Sequence, residues 1–312
     1  MNQKNLDKIK LIRLALQSVI KGKEVAIDEI LCAIFANGHI LINDIPGVGK
    51  TTLAMSISKV MNLNYKRVQF TPDVLPSDII GFTVMNQDGE FEYRDGAVLC
   101  NLFLADEINR TSPKTQSALL EVMEEGKVTV DSITRSVPQP FVVIATQNPI
   151  GSIGTQLLPD SQLDRFMIQV TLGYPDKNAE LQMLEERYNL NPMVQLKSII
   201  DEEDLIDIQD EVSKVFIQRE IYEYIIALVN ETRNRQEIRI GVSPRGTIAI
   251  TKMSRARAYM QGRDFVLPED VIHVFKSVVA HRIILKTNTK ISHTDTNSLI
   301  QDIIHSINTP KL

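Results

Sequence analysis

Tryptophan is absent from this 312-residue chain, and it has only two cysteines, Cys32 and Cys100, both within apolar stretches. Two isolated thiols exclude a disulfide framework and a cysteine-built zinc site, and they fit a reducing cytosol. No Cys/His cluster and no H-E-x-x-H run occurs, so the only metal expected is Mg2+ carried with a nucleotide. The five histidines, His39, His273, His281, His293 and His305, are scattered and read as core or surface residues rather than ligands. Long hydrophobic runs are missing as well. The longest, 30–42, is broken by Asn37 and His39 and is too short to cross a bilayer. Residues 11–20 are interrupted by Arg13 and Gln17 and lack a small-residue cleavage pattern, so they do not read as a secretion signal. The expectation is a soluble, cytoplasmic protein without membrane insertion. Nor is positive charge in excess. Lys and Arg number 34 against 39 acids, a net charge of -5, which argues against nonspecific nucleic-acid binding as the main activity but leaves room for a local basic channel. Repeats and low-complexity tracts are absent.

What is present is enough for a packed core, 43% hydrophobic residues, in a length that suits one large or two modest domains. The chemistry gathers at three strand ends. Ile40, Leu41 and Ile42 read as a buried strand running into a tight loop with Pro46, Gly47, Val48 and Gly49, after which Lys50, Thr51 and Thr52 open a helix. Phosphates need backbone N–H groups with no side chain in the way. Glycines permit that approach, and a helix N-terminus supplies positive potential. In such a loop Lys50 reaches the β- and γ-phosphates and Thr51 holds Mg2+. The strict pattern has glycine where Asp44 stands. A second apolar strand, Leu102, Phe103, Leu104 and Ala105, ends in Asp106 and Glu107. Asp106 suits the Mg2+ shell, by way of water, and Glu107 suits polarisation of the attacking water. Each element alone also occurs in ordinary turns; together they specify a nucleotide site. A third strand, 141–145, leads through Thr146 and Gln147 to Asn148, whose amide could orient the lytic water. A plain Asn-Pro turn is the alternative there.

Along the chain, Ile27, Ile30, Leu31, Ile34 and Phe35 repeat at helical spacing, and Asn37 and Gly38 end that helix. Helices are expected over 51–61 and 114–125, and a short strand over 66–70. Two hairpins are expected: 82–85 with 90–93 around the turn 86–89, and 127–130 with 132–137 around Asp131. Strands alternating with helices give an α/β fold, a parallel sheet flanked by helices; after Tyr174, Pro175 and Asp176 the pattern turns helical. The boundary falls near Leu172 to Lys177, giving an α/β nucleotide-binding domain over 1–174 and a smaller, all-helical domain over 175–312. The acidic segment 201–210 reads as a solvated helix face rather than a metal site.

Two arginines lie outside the phosphate loop. Arg165 sits in Q-L-D-R-F and Arg245 in V-S-P-R-G, where Ser243 suits a helix N-cap and Pro244 the first helical position. A cation at a helix start needs an anion nearby, and a terminal phosphate would be one. An ordinary salt bridge would serve equally. Arg110 and Arg135 are further candidates that sequence physics does not rank.

The strings G-H-I-L-I-N-D-I-P-G-V-G-K-T-T-L-A, Q-F-T-P-D-V-L-P-S-D-I-I-G, A-D-E-I-N-R, K-T-Q-S-A-L-L-E-V-M-E-E, I-A-T-Q-N-P-I, L-P-D-S-Q-L-D-R-F, S-P-R-G and G-R-D-F-V-L-P-E-D-V, in this order and spacing, resemble the MoxR family of AAA+ ATPases. The resemblance runs from about Val19 to Ile283. It implies a P-loop AAA+ core followed by a helical lid. Lys50 and Thr51 match Walker A, Asp106 and Glu107 Walker B, and Asn148 sensor 1. Arg165 matches the arginine finger that acts on a neighbour's ATP, and Arg245 matches sensor 2. Val19, Ile20 and Gly22 match the segment lining the adenine. The first hairpin resembles the helix-2 insert and the second the pre-sensor-1 hairpin, both facing the pore of a ring, expected to be a hexamer. The family implies ATP-driven chaperones that mature other proteins, often with partners carrying von Willebrand factor A domains. Departures are Gly151, Ile153 and Gln156 in the loop before Arg165, which usually carries acids and a tyrosine, and Lys21 in place of an apolar residue.

Three functions compete: a protein remodeller, a nucleic-acid motor of the same clade, and a nucleotide-sensing scaffold or chelatase-type subunit. A DNA motor wants Lys or Arg at its hairpin tips. The first tip is Asn86-Gln87-Asp88-Gly89, and the second mixes Lys127, Asp131 and Arg135. With the acidic net charge, a protein client is favoured over nucleic acid. Glu107 and Arg165 argue against loss of hydrolysis.

Overall fold

The computed structural model describes residues 2–148, 158–189, 192–286 and 295–311. The departures at Gly151, Ile153 and Gln156, and His293, lie outside the described residues. In chain order the elements are α1 (Gln3–Val19), α2 (Glu24–Phe35), β1 (Ile40–Asn43), α3 (Lys50–Val60), β2 (Tyr65–Gln69), α4 (Pro76–Ile80), β3 (Gly81–Met85), β4 (Phe91–Asp95), β5 (Leu102–Asp106), α5 (Pro113–Glu125), β6 (Lys127–Val130), β7 (Ile133–Ser136) and β8 (Val142–Gln147). They continue with α6 (Asp160–Leu163), β9 (Ile168–Val170), α7 (Lys177–Asn189), α8 (Pro192–Gln195), α9 (Glu202–Ser213), α10 (Arg219–Asn234), β10 (Ile238–Ile240), α11 (Pro244–Met260), α12 (Pro268–Val279), β11 (Ile284–Leu285) and a last helix, Thr296–Ser306.

Five strands form one sheet in the order β2-β5-β8-β1-β9, every pairing parallel. Parallel strands require crossovers, and the helices that make them cover both faces. The alternation of side chains in each strand divides the core accordingly. Ile40 and Ile42, Leu102 and Leu104, and Val142 and Ile144 pack on one side with α1, α2, α3 and the C-terminal helices. Leu41, Phe103, Ala105, Val143 and Ala145 pack on the other with Leu119, Leu120 and Met123 of α5. Cys32 and Cys100 are free and buried.

Both hairpins form. The first pairs Phe82 with Arg94 and Met85 with Phe91. The second turns at Asp131 and Ser132, both left-handed at φ 50° and 65°, as a two-residue hairpin turn requires. The expected helical second domain is present, but it is not purely helical. Ile238–Ile240 pairs antiparallel with Ile284–Leu285, two strands too short for an alternating pattern to register. Helix α1 was not anticipated; it buries Ile9, Ile12 and Leu16 on one face. Among the described residues no helix is long and apolar enough to cross a membrane.

Candidate functional site

Because all five strands run the same way, the loops that follow β1, β5 and β8 emerge on one edge of the sheet, where open α/β sheets bind ligands. The phosphate-loop residues Pro46, Gly47, Val48 and Gly49 lie between β1 and α3, and Lys50, Thr51 and Thr52 form the first turn of α3. Gly47 and Gly49 have φ of 84° and 92°, a region costly for residues with a Cβ, and nothing lies within 4 Å of where a Cβ on Gly47 would be. The result is an open cradle of backbone ahead of a helix N-terminus. Lys50 is buried and donates to the Asp44 carbonyl at 2.6 Å. Burial draws its pKa below the ordinary lysine value, while Asp44, Asp106 and Glu107 pull it back up. Those three acids are therefore the lysine's electrostatic neighbours.

Asp106 ends β5 and Glu107 follows it in the left-handed region, at φ 57°. Two side chains that the sequence reading missed, and one that it left unranked, organise this turn. Thr146 on β8 donates to Asp106 Oδ1 at 2.6 Å and accepts from the Glu107 N–H at 2.8 Å. Arg67 on β2 donates to Asp106 Oδ2 at 2.8 and 3.1 Å. Arg110, which sequence physics left unranked, pairs with Glu107 at 2.7 Å. Asn148 follows β8, and its carbonyl accepts from Asn109 Nδ2 at 3.4 Å, which sets it beside the acidic turn. Among the described residues the buried Oδ1 atoms of Asn43 and Asn109 have no hydrogen-bond partner, which suits acceptors at this edge for a ligand. The Thr51 hydroxyl and the Asp106 carboxylate are hard oxygen donors of the kind Mg2+ takes. These residues fit a nucleotide with Mg2+.

Val19 ends α1 and Ile20 caps it. The Ile20 Cδ1 atom stands 3.9 Å from the Cβ position of Gly49, and a Cβ on Gly22, at φ 67°, would meet Ala179 of α7 at 3.0 Å. This segment thus packs between the phosphate loop and the start of α7.

Arg165 and Arg245 are together, but elsewhere. Arg165 lies just ahead of β9, whose Ile168 pairs with Ile40 at the start of β1. It stands at the opposite edge of the sheet from the phosphate loop, more than a strand's length away, about 13 Å for four residues. Ser243 caps α11 by accepting from Gly246 N at 3.2 Å, as expected. The anions facing Arg245 in its own chain are Glu124, with which it pairs closely, and Asp164 at 3.9 Å. Arg165 shares Glu124, Nε to Oε2 at 3.2 Å. Asp164 is itself held by the buried Arg282 at 2.7 Å. A cavity here is lined by His39, Glu124, Arg165, Arg245 and Lys252 among others. Burial pushes His39 down to about 4, so it is neutral at physiological pH. Arg135 stacks over the Tyr93 ring at 3.8 Å, joining the two hairpins.

Comparison with known proteins gives the family and the fold. Residues 39–168 match the model for the ATPase family associated with various cellular activities (AAA), and 230–303 match the AAA lid domain. The Bacillus subtilis (strain 168) protein YeaC, itself uncharacterized, is 43% identical over 94% of this chain and 92% of its own. Chaperone MoxR1 of Mycobacterium tuberculosis is 34% identical over 94% of this chain and 80% of its own. The crystal structure of a candidate ATPase from Cytophaga hutchinsonii superposes with a TM-score of 0.91 at 38% identity, covering 98% of this chain and 96% of that one. A parallel sheet with a phosphate loop and an acidic pair on one edge, followed by a helical lid and shared with relatives of this closeness, carries the conclusion: the chain belongs to the MoxR family of AAA+ ATPases.

Proposed function

We propose that this protein hydrolyses ATP and uses the energy to remodel partner proteins, in a cytoplasmic ring whose active sites are completed between subunits. The observation that carries the reading is the division of the machinery between two sheet edges. Lys50, Asp106 and Glu107 gather at one, and Arg165 and Arg245 share Glu124 at the other. Within one subunit the arginines stand too far from the phosphate loop to act on its nucleotide; in this reading they act on a neighbour's.

In this reading the backbone of 46–52 and the Lys50 ammonium bind the phosphates. Val19, Ile20 and Gly22 line the adenine. Thr51, and Asp106 through water, hold Mg2+, which supplies charge neutralisation on the transferring phosphoryl group. Glu107 takes the proton of the attacking water, and Asn148 orients that water. Arg165 and Arg245, leaving Glu124, meet the charge that develops on the neighbour's phosphate. The nucleotide-binding domain spans 1–174 and the lid 175–312. A hexamer is the expected ring, with a von Willebrand factor A domain protein as co-partner.

The client is read as polypeptide. Phe82, Met85 and Phe91 of the first hairpin and Ile133 of the second are exposed, Phe91 to 79%. Exposed apolar side chains on these hairpins suit polypeptide side chains rather than a phosphate backbone. The chaperone named among the relatives agrees in kind.

The test is turnover. Glu107→Gln should bind ATP without hydrolysing it, since an amide cannot accept the water's proton, whereas Lys50→Ala should lose nucleotide binding. Hydrolysis by Glu107→Gln at the unaltered rate would remove the assignment. DNA stimulation at low salt would favour a nucleic-acid motor instead.

A further inference from the structure

An acid stands where the strict phosphate loop has glycine, and its carboxylate bridges the loop to the chain that follows β9. Asp44 is 4% exposed. Its Oδ2 accepts from the backbone N–H groups of Leu172 and Gly173, both at 2.6 Å, and its Oδ1 from Ile45 N at 2.8 Å. Leu172 and Gly173 belong to the connector 171–176 that leads from β9 to α7 and the lid. The main chain of Asp44 is engaged as well: its N–H donates to Gln147 O at 3.0 Å on β8, and its carbonyl accepts the Lys50 ammonium. One residue therefore holds the phosphate-binding lysine through its backbone and the lid connector through its side chain.

Further contacts keep the connector at the same place. Thr171 Oγ1 donates to Asn43 O at 3.2 Å, and Lys23 Nζ donates to Tyr174 O at 2.7 Å, one residue beyond the Gly22 that abuts Ala179. None of these touches both Lys50 and the connector. Asp44 does.

We infer that Asp44 is a positioning residue that couples the state of the phosphate loop to the connector, and through it to the lid that carries Arg245. The inference rests on the nucleotide-site reading above. When the Lys50 ammonium turns to a phosphate it leaves the Asp44 carbonyl. The 44–45 peptide then settles against the ligand, and the carboxylate, bonded to that peptide, carries Leu172 and Gly173 with it. An acid beside a phosphate site would otherwise repel the ligand; three N–H donors aimed at it keep that charge satisfied and directed at the connector.

The experiment is amide hydrogen exchange on the full chain, with and without ADP and Mg2+, for the wild type, Asp44→Gly and Asp44→Asn, alongside steady-state kinetics. Asp44→Gly restores the strict loop and keeps the Thr171–Asn43 bond. Loss of two charge-assisted bonds should speed exchange at Leu172 and Gly173 by on the order of tenfold. ADP affinity should stay within about threefold, and kcat should fall on the order of tenfold with KM little changed. ADP should slow exchange at these amides in the wild type and no longer do so in Asp44→Gly. Asp44→Asn keeps one acceptor oxygen without the charge and should restore part of both exchange protection and kcat. Three results would overturn the inference: connector exchange equal to wild type in Asp44→Gly, an undiminished response to ADP there, or loss of ADP binding with the connector unchanged. ADP binding by Lys50→Ala at wild-type affinity would instead remove the nucleotide-site reading itself.

Discussion

Replacing Thr146 with valine tests the acidic turn at its least obvious point. Thr146 is fully buried, and its hydroxyl makes two bonds at once, giving a proton to Asp106 Oδ1 at 2.6 Å and receiving one from the Glu107 N–H at 2.8 Å. Valine fills nearly the same volume, so the change removes the bonds without opening a cavity. A bond to a charged carboxylate contributes about 1.5–3 kcal/mol and a neutral one about 0.5–1.5, so the pair amounts to about 2–4.5 kcal/mol. Some of that is lost as stability. The rest appears at Glu107, whose left-handed backbone, at φ 57°, costs roughly 1–2 kcal/mol and leans on the bond from its own N–H. Since each 1.36 kcal/mol on a barrier is tenfold in rate, Thr146→Val should lower ATP turnover by roughly 10- to 100-fold. Nucleotide affinity should hold, because the phosphate loop is untouched. Thr146→Ser keeps the hydroxyl and should retain most of the rate. Steady-state hydrolysis, a fluorescent-nucleotide titration and a thermal melt on the three proteins separate these effects. Wild-type turnover by Thr146→Val, or equal damage from serine and valine, would refute the argument.

A shared site predicts complementation. Lys50→Ala and Arg165→Ala, each inactive alone, should regain part of the turnover when co-assembled, since one interface then pairs an intact loop with an intact arginine; none in confirmed mixed assemblies would refute it. A pH effect follows from Glu29 on α2, whose carboxyl is raised to about 7 by burial, against a smaller opposing pull from Ser277 and Lys276 of α12. A folded-state pKa above the ordinary 4.5 means this group's contribution to stability is full below pH 4.5 and is lost as pH rises through 7. Glu29→Gln should therefore melt like the wild type near pH 5 and up to a few degrees higher at pH 8; equal melting at pH 8 would show the acid is not buried in this way.

The phosphate loop and both hairpins were legible because their signals are local. Glycines, turn residues and apolar runs with abrupt polar ends lie within a dozen residues of one another. The side chains that tune the site were not. Thr146 reads as one more strand former after Ile144 and Ala145, and only the pairing of β8 beside β5 brings its hydroxyl to Asp106. Arg67 likewise depends on β2 lying next to β5. Glu124 occupies the polar face of α5, where an acid is unremarkable, until folding brings it to two arginines from distant segments. For Arg245 the sequence called for an anion near the helix start; it could not say that Glu124 and Asp164 of the same chain would be there. Helix α1 carries Ile9, Ile12 and Leu16 at helical spacing, a narrow stripe easily passed over beside the exposed Leu11 and Leu14.

The two edges of the sheet give each subunit a direction. At one edge Arg67 and Arg110 are taken up by Asp106 and Glu107, and in the proposed reading the arginines of the other edge act on a neighbour's nucleotide. In the proposed shared site each subunit's arginines serve the next subunit's loop; where that contact runs head to tail it either closes on itself or continues without limit. An open row always holds one finished site fewer than it has subunits; closure removes that deficit in a single step, so hydrolysis per subunit becomes a count of how many ends the assembly has left.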